Sequence, residues 1–437
     1  MVQGMPERSH QSRIFYGWYI VAASFTMLFF NTGARYAFGV MFKPIIQEFG
    51  WSRGAVSLVF FLNMIIFAFG LLIVGKVYDR YGPKWVIAVS SLFLSVGFAL
   101  TSFIQSIGHF FFSYGILTAL GIAGTATPLI STITSKWFDR WRGMAVSLSI
   151  SGGAVGQFAL VPLLSLLTIG YGWRASYFYT GIVMLLVNTA IALFVLKGDP
   201  HQLGLEPLGW KGESGGGERK VARVSSVAGP DDLTLRQAMS TPSYWLFSAA
   251  MFICGGGDYF STTHLIPMAT DLGISPLTAG NMLGLYGLMS LAGLLVAGPA
   301  ADRIGNKTPI ILTFAMRFAM YIMIINYKSV ASLYVFALVF GFTHVVTAPL
   351  IPMLMVKLYG GTHLGVLTGF VNTLHFLGGG LWAYGAGVIF DRSGNYQTAF
   401  WISAVAAIVA IACSSFIAER RHKAVTQENF FSERSHR

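Results

Sequence analysis

Long apolar runs, each long enough to cross a bilayer, alternate along this chain with short polar breaks. Twelve runs can be marked: 18–46, 54–76, 85–106, 109–134, 143–168, 174–196, 243–269, 277–299, 308–327, 331–355, 365–390 and 396–417. A helix of about 20 residues spans the hydrocarbon core. Backbone in lipid must satisfy its own hydrogen bonds, so each run predicts a transmembrane helix, numbered here helix 1 to helix 12. The first run is too long for a signal peptide and has no small-residue cleavage site after it, so it is expected to stay. One long polar interruption, 198–241, holds Gly212, Gly215, Gly216 and Gly217 and the basic residues Arg219, Lys220 and Arg223, and reads as a flexible linker. The chain thus divides into a six-helix bundle over 1–197, the linker, a second bundle over 242–417 and a polar tail over 418–437.

Composition agrees with this pattern. Only 11% of the residues are charged and 54% are hydrophobic, whereas soluble domains carry about 25% charged residues. The net charge of +12 is not a nucleic-acid footprint, because its placement follows the helices. With the N-terminus inside, only Lys43, Arg53, Arg174, Lys328 and Arg392 fall on the outer side, and Arg35 and Arg317 fall within runs. The other Lys and Arg lie in inner loops and tails, which orients the chain with both termini cytoplasmic. Inner basic residues can also touch anionic lipid headgroups. Cys254 and Cys413 both lie inside runs, so neither a disulfide framework nor a metal cluster is indicated.

The chain also repeats itself. Gly75-Lys76-Val77-Tyr78-Asp79-Arg80-Tyr81-Gly82-Pro83-Lys84 recurs at the same spacing as Gly298-Pro299-Ala300-Ala301-Asp302-Arg303-Ile304-Gly305-Asn306-Lys307. Thr125-Ala126-Thr127-Pro128-Leu129-Ile130 in helix 4 matches Val346-Thr347-Ala348-Pro349-Leu350-Ile351 in helix 10. In helices 1 and 7, Gly33-Ala34-Arg35-Tyr36 aligns with Gly256-Gly257-Asp258-Tyr259. Segments that agree on one offset mark a duplication. Two parallel six-helix halves with this loop motif resemble the major facilitator superfamily. The resemblance covers the whole chain and implies an all-α polytopic membrane protein of two pseudo-symmetric bundles. It also implies that Asp79, Arg80, Asp302 and Arg303 gate the conformational change, as a latch on the outward-facing state. Read without the family, the same loops are topology-setting turns.

Two segments point to a branch. Tyr16-Gly17-Trp18-Tyr19 with Arg35-Tyr36-Ala37-Phe38-Gly39 in helix 1, and Trp137-Phe138-Asp139-Arg140-Trp141-Arg142-Gly143-Met144-Ala145 before helix 5, are similar to the monocarboxylate transporter and oxalate:formate antiporter branch. The departures are informative. The acidic residue that opens the helix 1 signature in animal carriers is Arg13, their membrane lysine aligns with Val40, and their helix 8 arginine has no counterpart among Asn281 to Ala297. An organic anion would therefore need a different cation. The glycine-proline signature of drug exporters is absent from Ser151 to Gln157, which argues against drug efflux.

Arg35 is the leading cation. A guanidinium at bilayer depth costs about 2.5–3.5 kcal/mol on lenient scales, so it is expected to face a cavity or a partner. Its planar fork suits a carboxylate. Asp258, the one acidic residue deep in a run, sits at the pseudo-symmetric position. The pair reads either as a breakable, proton-coupling contact or as a permanent ion pair closing the halves. Gly255-Gly256-Gly257 reads either as a helix break at a binding site or as close helix packing. His264, His344 and His375 can hydrogen-bond a carboxylate or relay protons, or each can be a buried imidazole satisfied by a backbone carbonyl. Tyr114 and Tyr384 offer aromatic hydroxyls to small organic acids, and Arg317 is assigned a structural role in the second half.

Together these readings predict a secondary active transporter, most concretely a proton-coupled monocarboxylate symporter of a bacterial-type inner membrane. Its substrate-binding residues would be Arg35, Tyr114, His264, His375 and Tyr384, with Asp258 and His264 coupling protons. Small organic anions, protons and lipid are the expected partners, with a monomer as the functional unit and no metal or other cofactor. An oxalate:formate-type exchanger and a non-transporting ligand sensor are the alternatives. The chain shows no metal spacing, nucleophile motif or nucleotide loop that would indicate an enzyme.

Overall fold

The computed structural model describes residues 15–210 and 232–419. Arg13, the glycine and basic residues of the linker, and the tail beyond 419 lie outside them. Among the described residues the fold is helical, with one isolated bridge between Phe138 and Leu208. Eight helices are long and apolar enough to cross a membrane. Two of these, Arg53–Thr101 and Arg142–Val195, each hold two of the expected spans, folded back at Gly82 and Gly172. Helix 1 is Tyr16–Tyr36 followed by Phe38–Phe49, and helix 7 is Pro242–Asp271. These two fall short in apolarity because polar and small residues interrupt them, and they carry Arg35 and Asp258. Helices 8 to 12 are Pro276–Ile304, Lys307–Asn326, Val330–His344 with Thr347–Tyr359, Leu364–Ser393 and Gln397–Ser415.

The repeat is written into the turns. Ser52 caps helix 2 by accepting from the Ala55 amide, and Ser275 caps helix 8 by accepting from Thr278, both at 3.1 Å. Each such cap contributes about 1 kcal/mol. Gly82 and Gly305, the matching glycines of the two loop copies, have φ of 75° and 79°. That left-handed region is open to glycine and strained for other residues.

Packing repeats as well. A Cβ on Gly156 of helix 5 would overlap the Phe29 carbonyl of helix 1, and one on Gly378 of helix 11 would overlap the Phe252 carbonyl of helix 7. Small residues bring these backbones together where lipid supplies no hydrophobic drive. The same device joins the halves. Gly280, Gly284 and Gly287 of helix 8 meet helix 5, and Gly380 and Gly387 of helix 11 meet helix 2.

Helices 4 and 10 are interrupted at the repeated proline segments, between Gly124 and Thr127 and between His344 and Thr347. Helix 7 is continuous through Gly255-Gly256-Gly257. Those glycines face the His375 backbone, Trp382 and Tyr321, so close packing, and not a break, is what they provide.

The face opposite the two loop copies is sealed. Arg53 binds Asp271 at 2.7 Å, Lys43 binds it at 2.8 Å, and the Arg53 guanidinium donates to the Tyr396 hydroxyl at 2.7 Å. The amides of Arg53 and Gly54 donate to Asp391, and the guanidinium lies 3.5 Å over the Phe390 ring. Each contact ties the first half to the second. On the loop face, Glu419 accepts from Lys357 and from the Asn306 amide. Burial pushes that carboxyl up, but these bonds outweigh it and hold it below its usual range.

Candidate functional site

Between the halves lies a cavity of about 620 Å³. It extends from the level of Arg35 to Leu71, Ser131, Ser151, Pro352 and Thr368, which stand near the helix ends on the loop face. The sealed end and the open end together define a structure accessible from the loop face alone. Asp79, Arg80, Asp302 and Arg303 are exposed on that face, and none makes an ion pair among the described residues.

Arg35 lines the cavity just before the helix 1 interruption at Ala37. Its guanidinium lies over the rings of Phe67 at 4.5 Å and Tyr259 at 5.4 Å. One amino group donates to the Met64 sulfur at 3.0 Å, and the buried Nε has no hydrogen-bond partner. Thioether sulfur is a weak acceptor. No carboxylate pairs with Arg35 among the described residues.

Asp258 also lines the cavity, but its carboxylate belongs to the second half. Arg317 of helix 9 donates to Oδ1 at 2.6 Å, and both side chains are almost fully buried. Arg317 is held further by the carbonyls of Cys254 and Thr343. His344 places Nδ1 3.1 Å from the same carboxylate oxygen, and His375 places Nε2 3.7 Å from the other. Cys254, Asp258 and His375 could be taken for three metal ligands. The guanidinium already on that carboxylate supplies the positive charge a divalent ion would bring, so the cluster does not fit one.

His344 does more than touch Asp258. Its Nε2 lies 3.0 Å from the Tyr36 hydroxyl of helix 1, and its Nδ1 lies 3.0 Å from the Tyr286 hydroxyl of helix 8. The imidazole therefore bridges the two halves. It stands at the last residue before the helix 10 interruption, where the ring is free to reach across.

The other expected site residues divide. His375 lines the cavity. Tyr114 does not, because it stacks on Phe38 at 4.8 Å inside the first bundle. Tyr384 stacks on Phe61 away from the cavity. His264 is buried near the sealed face, with Nε2 2.8 Å from the Ala383 carbonyl and Nδ1 2.9 Å from the Tyr396 hydroxyl. The carbonyl requires a proton on Nε2, so the tyrosine donates to Nδ1. His264 thus supports Tyr396 and, through it, Arg53. Tyr36, Tyr259, Phe67 and Phe376 line the cavity with no role foreseen for them. Arg317 as partner of Asp258 was also unforeseen, although a buried arginine needs an anion and Asp258 was the one deep acid available.

Comparison with known proteins agrees with this architecture. The profile described as Major Facilitator Superfamily matches residues 24–268 and 246–435. Monocarboxylate transporter 13 of Rattus norvegicus is 24% identical over 390 residues, covering 89% of this chain and 86% of its own. Monocarboxylate transporter 11 of Homo sapiens is 25% identical over 400 residues, covering 89% and 80%. An uncharacterised MFS-type transporter of Bacillus subtilis is 22% identical over 388 residues. In fold, the chain is similar to a bacterial homologue of the human lysosomal transporter Spinster. Its TM-score is 0.72 at 16% identity, covering 94% of this chain and all of the other. The chain belongs to the Major Facilitator Superfamily, in a branch like that of the monocarboxylate transporters.

Proposed function

We propose that this transporter moves organic monocarboxylates by alternating access, with Arg35 as the anion site and with coupling to protons. The observation that carries the reading is a half-buried, cavity-lining guanidinium that no carboxylate neutralises among the described residues. An anion would remove the cost of that unpaired charge, and the fork suits a carboxylate. The loops 75–84 and 298–307 are taken as cytoplasmic on the positive-inside rule, so the cavity opens inward, in a bacterial-type inner membrane. Asp79, Arg80, Asp302 and Arg303 would then meet when that side closes. The functional unit is a monomer, since one chain encloses the whole cavity.

Coupling runs through Asp258 and the imidazoles beside it. His344 stands between Asp258 and Tyr36, with Nδ1 3.1 Å from the Asp258 carboxylate and Nε2 3.0 Å from the Tyr36 hydroxyl, so a bond at one nitrogen bears on the bond at the other. Because Tyr36 follows Arg35 directly, an anion on Arg35 shifts the same stretch of helix 1 that receives this bond. This route replaces a direct Arg35–Asp258 contact. The Arg317–Asp258 pair favours a second reading, obligate exchange, because it already commits the carboxylate when no anion is bound.

Proteoliposome flux tests both. Arg35→Ala should abolish uptake. Asp258→Asn should lose proton-driven accumulation and keep counterflow. Unchanged accumulation in Asp258→Asn sinks the coupling role, and wild-type counterflow with no response to a pH gradient establishes exchange.

A further inference from the structure

Charge and shape around Arg35 carry the substrate class further, resting on the anion-transport reading above. Among the described residues Arg35 is the one arginine or lysine that lines the cavity, and Arg317, outside the lining, is offset by Asp258 at 2.6 Å. The cavity is therefore built for a single negative charge. A dicarboxylate would leave its second charge desolvated beside Asp258.

The surroundings of that cation are aromatic. Phe67 of helix 2 lies under the guanidinium, and Phe376 of helix 11 meets Phe67 edge-on at 4.7 Å. Tyr259 of helix 7 contacts both the guanidinium and Phe376, at 5.4 and 6.3 Å. Three rings from three helices thus form one cluster against the anion site, with edge-to-face geometry that would accept another ring. The cavity volume of about 620 Å³ is in the range of pockets for drug-sized ligands, about 300–1,000 Å³. A two- or three-carbon acid would leave those rings in water.

We propose that the cavity selects monocarboxylates that carry an aromatic or similarly broad apolar body. The carboxylate sits on Arg35, and the body lies against Phe376 and Tyr259. Phe376 is the specificity-determining residue, because Phe67 and Tyr259 already stack on Arg35.

Titration calorimetry on the full chain in nanodiscs tests this with phenylacetate, lactate and malonate. Phenylacetate should bind at least about tenfold more tightly than lactate, with malonate no tighter than lactate. Phe376→Ala should erase the phenylacetate advantage while lactate binding persists, which also shows that the variant is folded. If Phe376→Ala binds nothing, Phe376→Leu decides: a reduced phenylacetate-to-lactate ratio supports the proposal and an unchanged ratio overturns it. Equal affinity for phenylacetate and lactate, or preference for malonate, overturns the class and leaves anion transport standing. If none of the three binds, or if Arg35→Gln binds all three as well as wild type, the anion-transport reading falls and the class with it.

Discussion

Asp258 and Arg317 are charged side chains almost wholly removed from solvent, and each is tolerable only because of the other. Removing one partner of such a pair costs about 3–5 kcal/mol, since the remaining charge stays buried and unpaired. Asp258→Ala and Arg317→Ala should each lower the unfolding temperature sharply, and the double variant should recover much of the loss. Additive losses in thermal unfolding would show that the two are not a coupled pair. At this scale the sequence reveals depth better than direction. Arg35, Asp258 and His375 were legible because charge or imidazole stands out in an apolar run. His264 was misplaced for a geometric reason: it follows Asp258 by six residues, about 120° round the helix. That rotation turns it from the cavity toward Ala383 and Tyr396. Tyr114 and Tyr384 fail for the same reason, since nothing in a uniformly apolar helix marks which face looks inward.

For whole helices, the informative residues are glycines and prolines, and their meaning depends on what lies opposite. Gly255-Gly256-Gly257 was open to two readings from sequence, and the neighbouring helix decides between them. The repeated Thr-Pro and Ala-Pro segments are the true interruptions, and both line the cavity. Proline removes a backbone donor, and the freed carbonyls are tolerable where a water-filled cavity meets them. Gly378→Val should destabilise the second half by about 1–3 kcal/mol through overpacking against Phe252. Hydrogen exchange should show it as loss of protection in helices 7 and 11, with helices 1 and 5 unchanged. Equal loosening of both halves would contradict the local nature of that contact.

The whole molecule is closed on one face by a few ion pairs and open on the other. Alternating access needs those pairs to be breakable, and partly exposed pairs are worth little individually. Asp271→Asn removes the negative charge shared by Lys43 and Arg53. It should shift the population toward a form open on the sealed face. Spin labels across that face, in the helix 1–2 and helix 7–8 turns near residues 53 and 271, should report longer distances than in wild type. An unchanged distribution would mean that the helix contacts, and not these charges, hold the face shut. The twelve helices, the duplication and the halves of the cavity were legible because periodicity and repetition survive in sequence. Which face is closed was not, because the same residues build both states.

The chain leaving the sixth helix of each half does not simply depart. Leu208 hydrogen-bonds Trp137, and Gly198 packs on Pro83, beside the first loop copy. Lys307 of the second copy bonds the carbonyls of Ser415 and Ile417, and Leu233 bonds Tyr359 where the second half begins. Both halves are therefore fastened at their own ends before the connecting segment starts. On these contacts the two halves are expected to hold together without a covalent connection between them. A gene cut between residues 210 and 232 and expressed as two polypeptides should assemble into an active transporter, recovered by co-purification through a tag on either piece.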